Sequence, residues 1–354
     1  MSVSIRDFGK STTGQTVKLA VLKNEFIEVQ LLSYAAVIHR ILVPDRKGNP
    51  VDVVLGYPTA ADYELNTDSM GAAVGRFANR IAGAQFPLYE EIVHVTPNEN
   101  GNCLHSGLHG FNHTLFDVAL TPGETDSVTM TAFSPAGTDG FPGNLEVEMV
   151  YRLEEEENAL VIEYRATTDK ATVVNLTNHG FFNLAGISNP TPTIENNIVT
   201  INANFYTPID EVSIPTGEVA KVKGTPMDFT TPHTVGERIN DKFQQLINGA
   251  GYDHCYVLNK IETGSLDLAA TCFEPNSGRT MEVYTTEAGV QLYTGNWLNG
   301  FEGAHGATFP ARSAICFEAQ CFPDTPNKPH FPSATLLPGD EYQQVTIYKF
   351  GVEK

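Results

Sequence analysis

An all-β fold, a large antiparallel sandwich or barrel with few short helices, is what the sequence predicts. Three observations carry this. Short runs of alternating or β-branched residues recur from one end of the chain to the other. Clusters of Gly, Pro, Asn and Asp separate them at short intervals, and helical periodicity is nearly absent.

In chain order, the first runs are "TVKLAVL" (16–22) and "FIEVQLL" (26–32). "TAADYELN" (59–66) reads as a helical turn or two. "VTMTAF" (128–133), "LEVEMVYRL" (145–153) and "ALVIEYRA" (159–166) follow as strands, and the acidic "LEEEEN" (153–158) between the last two is a solvated hairpin tip. After "TVVNLT" (172–177) comes the strongest helical signal, "TVGERINDKFQQLI" (234–247), with Val235, Ile239, Phe243 and Leu246 close to helical spacing. Four more strands close the chain: "TMEVYTT" (280–286), "VQLYTG" (290–295), "SAICFEAQ" (313–320) and "VTIYKF" (345–350).

No Pro/Ser-rich linker, fixed repeat or low-complexity stretch interrupts the 354 residues, so a single domain spanning residues 1–354 is expected. A hydrophobic share of 41% with 18% charged residues is ordinary for a globular protein. The opening "MSVSIRDFGK" has no apolar leader and no long apolar run follows, so a soluble, cytoplasmic protein is expected. The five cysteines (103, 255, 272, 316, 321) are too scattered for a disulfide framework. Cys316 and Cys321 lack a second pair at zinc-like spacing, so no metal is expected and buried free thiols are. The sequons at Asn112 and Asn175 matter only in a secreted protein. A net charge of −20 argues against nucleic acid and against anionic membrane surfaces; a neutral ligand fits best.

Six stretches carry polar residues that packing does not demand. They are "GRFANRIAGAQF" (75–86), "NCLHSGLHGFNHTLF" (102–116), "NLTNHGFFNL" (175–184), "GYDHCYVL" (251–258) and "GVQLYTGNWL" (289–298) leading on to "AICFEAQCFPDTPNKPHFP" (314–332). Strand parity puts His179 on one face with Asn175, Thr177, Phe181 and Asn183, the more polar face, where sugar or solvent would be met. It puts Glu318 with Cys316 and Gln320. Each residue alone has a plainer reading. A lone strand histidine is more often a hydrogen-bonded structural residue. A glutamate between apolar neighbours is rarely unpaired, so a salt bridge to Arg80 or Arg76 competes with catalysis. Asn79, His105, Asp253 and Gln291 are unremarkable singly, and His109, His113 and His254 read as local loop residues. Taken together, the set resists the plain reading.

At these residues the chain resembles the aldose 1-epimerase (galactose mutarotase) family. The matching pieces, in order, are "GRFANRI", "NCLHSGLHGF", "NLTNHGFFNL", "VSIPTGEV" with "GTPMDF", "GERI", "YDH", "QLYTGN", "FEAQCFPDTPNKPHFPS" and "LLPGDEYQQVTIYKF". The resemblance implies a large antiparallel β-sandwich, the mutarotase supersandwich, and exchange of the α and β anomers of free aldoses with no metal or organic cofactor. It implies Glu318 as general base and His179 as general acid. Arg80, His105, Asp253 and Gln291, with Asn79, would bind sugar hydroxyls or orient the pair. A small-molecule aldose is the expected partner, and the chain is expected to be a monomer or weak homodimer. The chain departs from the family pattern at Ser106, where glycine is usual, at Gly180 and Phe182, and around Glu318; these bear on sugar preference.

Ring opening needs a proton removed from the C1 hydroxyl and one supplied to the ring oxygen, each transfer contributing on the order of 10²–10⁴-fold. At ordinary values near 4.3 for Glu and 6.5 for His, the glutamate is ready as a base. The acid role requires His179 to be raised, by Glu318 or Asp253. Trp297 or Phe181 are candidates to stack on the sugar, with a core role at least as expected for the tryptophan. Rival readings are a hexose-6-phosphate 1-epimerase, a non-catalytic sugar-binding protein of the same fold, and an inverting glycosidase using Asp253 and Glu318.

Overall fold

The computed structural model describes residues 1–65, 68–154, 156–188 and 190–354. Its architecture is antiparallel β throughout the three large sheets. The first is a meander of five strands in chain order, Ser2–Lys10, Thr16–Lys23, Glu28–Leu32, Ile38–Pro44 and Pro50–Asp52. The second, of nine strands, is built around Leu145–Glu154, Ala159–Thr168, Tyr342–Val352, Arg279–Thr285 and Asp267–Phe273, in that order across the sheet. The third has five strands and ends in Asp253–Val257, Gly289–Tyr293 and Cys316–Gln320.

Local pattern explains the strands. In Leu145–Glu154, Leu145, Val147, Met149, Tyr151 and Leu153 are buried while the residues between them reach outward, the alternation of a sheet with one face on the core. The hairpin between this strand and the next turns after the Glu154–Ala159 pair, as expected for the acidic tip; Glu155 in that tip lies outside the described residues. All three sheets contribute to one hydrophobic cluster, which takes in Val29 and Ile41, Met149 and Tyr348, and Val290, Leu292 and Phe317.

Helix is scarce. Ala60–Glu64 forms where expected, started by Thr59, whose side chain and that of Asp62 cap each other's backbone N–H; Asn66 of the expected stretch lies outside the described residues. The expected helix over 234–247 does not form as one element. A short 3-10 turn, Val235–Glu237, and an α-helical turn, Gln244–Asn248, stand at its two ends, with Phe243 extended at the second cap. Val235, Ile239 and Leu246 do reach the core. Asn240 and Asp241, residues whose side chains favour turns over helix interiors, interrupt the run. No helix among the described residues is long and apolar enough to cross a membrane.

Candidate active site

The third sheet divides core from site. Its register sets Asp253 opposite Tyr293 and Tyr293 opposite Cys316; one step along, Cys255, Gln291 and Glu318 are in line. Directly paired residues share a face, and faces alternate along each strand. One face therefore sends Tyr256, Val290, Leu292 and Phe317 into the core. The other presents Asp253, Tyr293, Gln291 and Glu318. His254, read from sequence as a loop residue, is a buried strand residue on the core side: its Nδ1 accepts from Asp253 N–H at 3.1 Å and its Nε2 lies 3.2 Å from Gln245 Oε1.

The segment 175–183 forms the second wall. It is not the regular strand that parity assumed: Thr177–Asn178 pairs with Ala73–Val74, and Asn175 and Phe182 make isolated bridges, Phe182 to Val54 and Ile315. Asn175, Thr177 and Asn183 are buried in the fold and do not meet solvent. His179 is pinned through its backbone, its N–H donating to Ala72 O and its carbonyl accepting from Gly71 N–H, both at 2.8 Å. From there its Nε2 comes within 3.7 Å of Glu318 Oε1, and the Phe181 ring lies parallel to the imidazole at 4.7 Å. His179 is 7% and Glu318 2% exposed.

The third wall comes from the paired strands Arg80–Ile81 and Cys103–Leu104. Asn79 and His105 clasp each other: Asn79 N–H donates to His105 Nδ1 and His105 N–H donates to Asn79 O, both at 3.1 Å. With Nδ1 accepting, the neutral ring carries its proton on Nε2. Burial, reinforced by His179 and Arg80, holds His105 well below its ordinary value, so it is a neutral donor. Ser106, beside it at a φ of 71°, turns its hydroxyl away from the cavity: Oγ accepts from Phe77 N–H at 2.7 Å and lies 3.2 Å from Phe77 O. Gly180 is shaped by packing, since a Cβ there would stand 2.8 Å from the Phe182 ring. Phe182 itself packs on Tyr348 in the core.

Neither arginine forms the salt bridge to Glu318 that sequence allowed. Arg76 is buried and donates to the carbonyls of Ser134, Pro135, Pro142 and Gly143. Arg80 is gripped by Glu99, Nε to Oε2 at 2.8 Å and Nη2 to Oε1 at 2.7 Å. Burial by itself would lower Arg80, but Glu99, with Asp253 and Glu318, raises it above the usual arginine value.

Between the three walls opens a cavity of about 380 Å³ lined by Asn79, Arg80, His105, His179, Phe181, Asp253 and Glu318. Gln291 is not among the lining residues; its Nε2 donates to Asp253 Oδ1 at 2.7 Å. Asp68, Glu99, Asn100, Leu104 and Tyr293 also line the cavity and were missed from sequence. Tyr293 shares Gln291's strand face two residues on, a signal that parity offered; Glu99 and Asp68 sit in turns with none. Trp297 is 67% exposed at the cavity, not in the core.

The expected upward shift of His179 does not occur. Burial pushes it down to about 4. Burial, then Asp253, pushes Glu318 well above the usual carboxylate range, against Arg80. With both groups out of water, desolvation outweighs their mutual attraction across 3.7 Å. Burial thus favours the neutral form of both side chains. Asp253 is raised by burial and drawn back by Arg80 and Gln291. Among the described residues no group of three or more His, Cys, Asp or Glu side chains is arranged to hold a metal ion, and all five cysteines are free and buried.

Comparison with known proteins agrees with this geometry. The family profile described as aldose 1-epimerase matches residues 18–349. The chain is 39% identical over 355 residues to the galactose mutarotase of Homo sapiens, covering 99% of each, and 32% identical to the aldose 1-epimerase of Escherichia coli K12, covering 96% and 97%. Among solved structures, a galactose 1-epimerase from Lactobacillus acidophilus superposes with a TM-score of 0.86 at 26% identity over the full length of both chains. An aldose epimerase homologue from C. elegans gives the same TM-score and identity over 95% of this chain and 99% of the other. The chain belongs to the aldose 1-epimerase family.

Proposed function

We propose that the protein is a mutarotase, an isomerase that interconverts the α and β anomers of free hexoses such as galactose and glucose. The observation that carries this is the buried Glu318–His179 pair, set 3.7 Å apart and facing one cavity. The hydroxyl oxygen and the ring oxygen of an anomeric carbon are separated by that one atom. An acceptor and a donor this close converge on both.

Ring opening starts from ionised Glu318 and protonated His179. Glu318 takes the proton from the C1 hydroxyl as His179 gives one to the ring oxygen; the C1–O5 bond breaks and a carbonyl forms at C1. Both side chains are then neutral, the state their burial favours. The two residues are thus best matched to the open-chain sugar. After rotation about C1–C2, His179 retakes the proton from O5 as that oxygen attacks C1, and Glu318 returns its own to O1. No proton is gained or lost over the cycle. Arg80, neutral His105 and Asp253 supply directional contacts for sugar hydroxyls. Asn79 holds His105 through its Nδ1, Gln291 orients Asp253, and Trp297 offers a ring at the mouth.

A hexose 6-phosphate is a poor fit, because Arg80, the one lysine or arginine among the described residues lining the cavity, is already bidentate on Glu99. We read the chain as one domain, a monomer or weak homodimer, with its free thiols fitting a cytoplasmic setting. The test is polarimetry or NMR of freshly dissolved α-D-galactose and α-D-glucose. His179→Asn and Glu318→Gln should each lower kcat on the order of 10²–10⁴-fold with folding intact. Near wild-type rates in both would sink the assignment, and release of reducing sugar from a glycoside panel would point to hydrolysis instead.

A further inference from the structure

Behind the reacting pair lies a row of polar side chains that the reaction as described does not use. Gln320 follows Glu318 by two residues on the same strand and lies on the same face. It is 0% exposed, and neither its amide nitrogen nor its amide oxygen has a hydrogen-bond partner among the described residues. Opposite it in register stands Gly289, which has no side chain to offer. Extending the antiparallel register from the Phe182–Ile315 bridge brings His179 opposite Glu318 and Thr177 opposite Gln320. Thr177 Oγ1 is likewise buried and without a partner.

The front row shows the same deficit: Glu318 Oε2 and Gln291 Oε1 also lack partners among the described residues. Leaving a buried polar group unbonded costs about 1–3 kcal/mol, whereas an apolar residue of the same shape is close to neutral. An amide at this position, on the same sheet face as Glu318 and Gln291, is therefore informative.

We propose that Gln320 is a positioning residue for Glu318: its side-chain amide donates through one buried water to Oε2 and leaves Oε1 for His179 and the sugar. The inference rests on the mutarotase reading. Residues two apart on one strand face are roughly 6.6 Å apart along the chain, a gap within reach of one water bridging the two side chains. The amide oxygen is left to accept from the Thr177 hydroxyl. The groups around Glu318 are His179, Asp253, Arg80, Cys255, Cys316 and, from the core side, Tyr348. Of these, Arg80 alone is a standing cation, and its guanidinium is already committed to Glu99. A neutral donor on Oε2 favours the ionised carboxylate, the form that must take the C1 hydroxyl proton.

Gln320→Met keeps the volume and removes the amide. With α-D-galactose, kcat should fall ten- to a hundredfold while KM stays within about twofold. The basic limb of the pH profile should move to higher pH, because Glu318 then holds its proton more tightly. Tm should be unchanged or higher, since an under-bonded buried amide has gone. Gln320→Asn, which keeps the amide but draws it back by one methylene, should show a smaller fall in kcat, and carries the test alone if the Met variant does not fold. Wild-type kcat and an unmoved basic limb, with only Tm lowered, would mean that Gln320 merely packs, and would overturn the proposal. If the wild-type protein does not accelerate mutarotation, the functional reading fails and this proposal with it.

Discussion

At the scale of single residues, burial favours the neutral forms of both candidate reacting groups. His179 at about 4 and a raised Glu318 mean that the pair keeps one proton between those two values. Below about 4 the pair gains a second proton and has no base, so activity is lost as pH falls through that value. Above the raised value of Glu318 the pair loses its last proton and has no acid. The expected profile of kcat/KM is thus a plateau that runs through the ordinary histidine value. Activity at pH 5 should lie within about twofold of that at pH 7. A fall centred near 6.5, the ordinary histidine value, would show that His179 titrates as if exposed and would remove the argument from burial. Ser106 departs from the family pattern without touching the cavity, because its hydroxyl is spent on the backbone of Phe77.

Elements set which residue meets which. One strand, Gly289–Tyr293, shows the division of labour at neighbouring positions: Leu292 faces the core and Gln291 the site. Leu292→Ala should cost about 2–5 kcal/mol of stability and leave kcat/KM nearly unchanged in the folded fraction. Gln291→Ala should lower kcat/KM about tenfold, by freeing Asp253, with a smaller effect on Tm. Denaturant melts and mutarotation rates on the two variants check this; the reverse pattern would mean that the strand's faces are misassigned. The sequence over 234–247 illustrates the opposite case, in which a helical pattern of apolar residues buries Val235 and Leu246 in two separate turns and Ile239 in the stretch between them. Periodicity reports which residues are buried, and the Asn240–Asp241 break decides the backbone.

For the molecule as a whole, the last long strand is the fastening. Tyr342–Val352 lies between Ala159–Thr168 and Arg279–Thr285, so the end of the chain joins its middle to its later third. One core cluster runs from Ala20 to Phe350 and draws on all three large sheets. Sheets that share a core cannot expose it separately, so calorimetry should record a single unfolding transition, despite the chain's length. Two resolved transitions would mean that the sheets belong to separable domains.

The all-β character, the strands and the candidate reacting residues were legible in the sequence. Alternation is a local property, and the ordered motifs around Arg80, His105, His179, Asp253, Gln291 and Glu318 are specific in combination. What the chain could not state by itself is what surrounds those residues. Glu99 gripping Arg80, Trp297 standing at the mouth and Gln291 behind Asp253 all depend on which segments lie side by side. The protonation of His179 depends on them most. Its sequence neighbours say nothing of burial, and a carboxylate 3.7 Å away would raise it in water. Only the folded structure, which removes both groups from solvent, decides that desolvation outweighs attraction and lowers it.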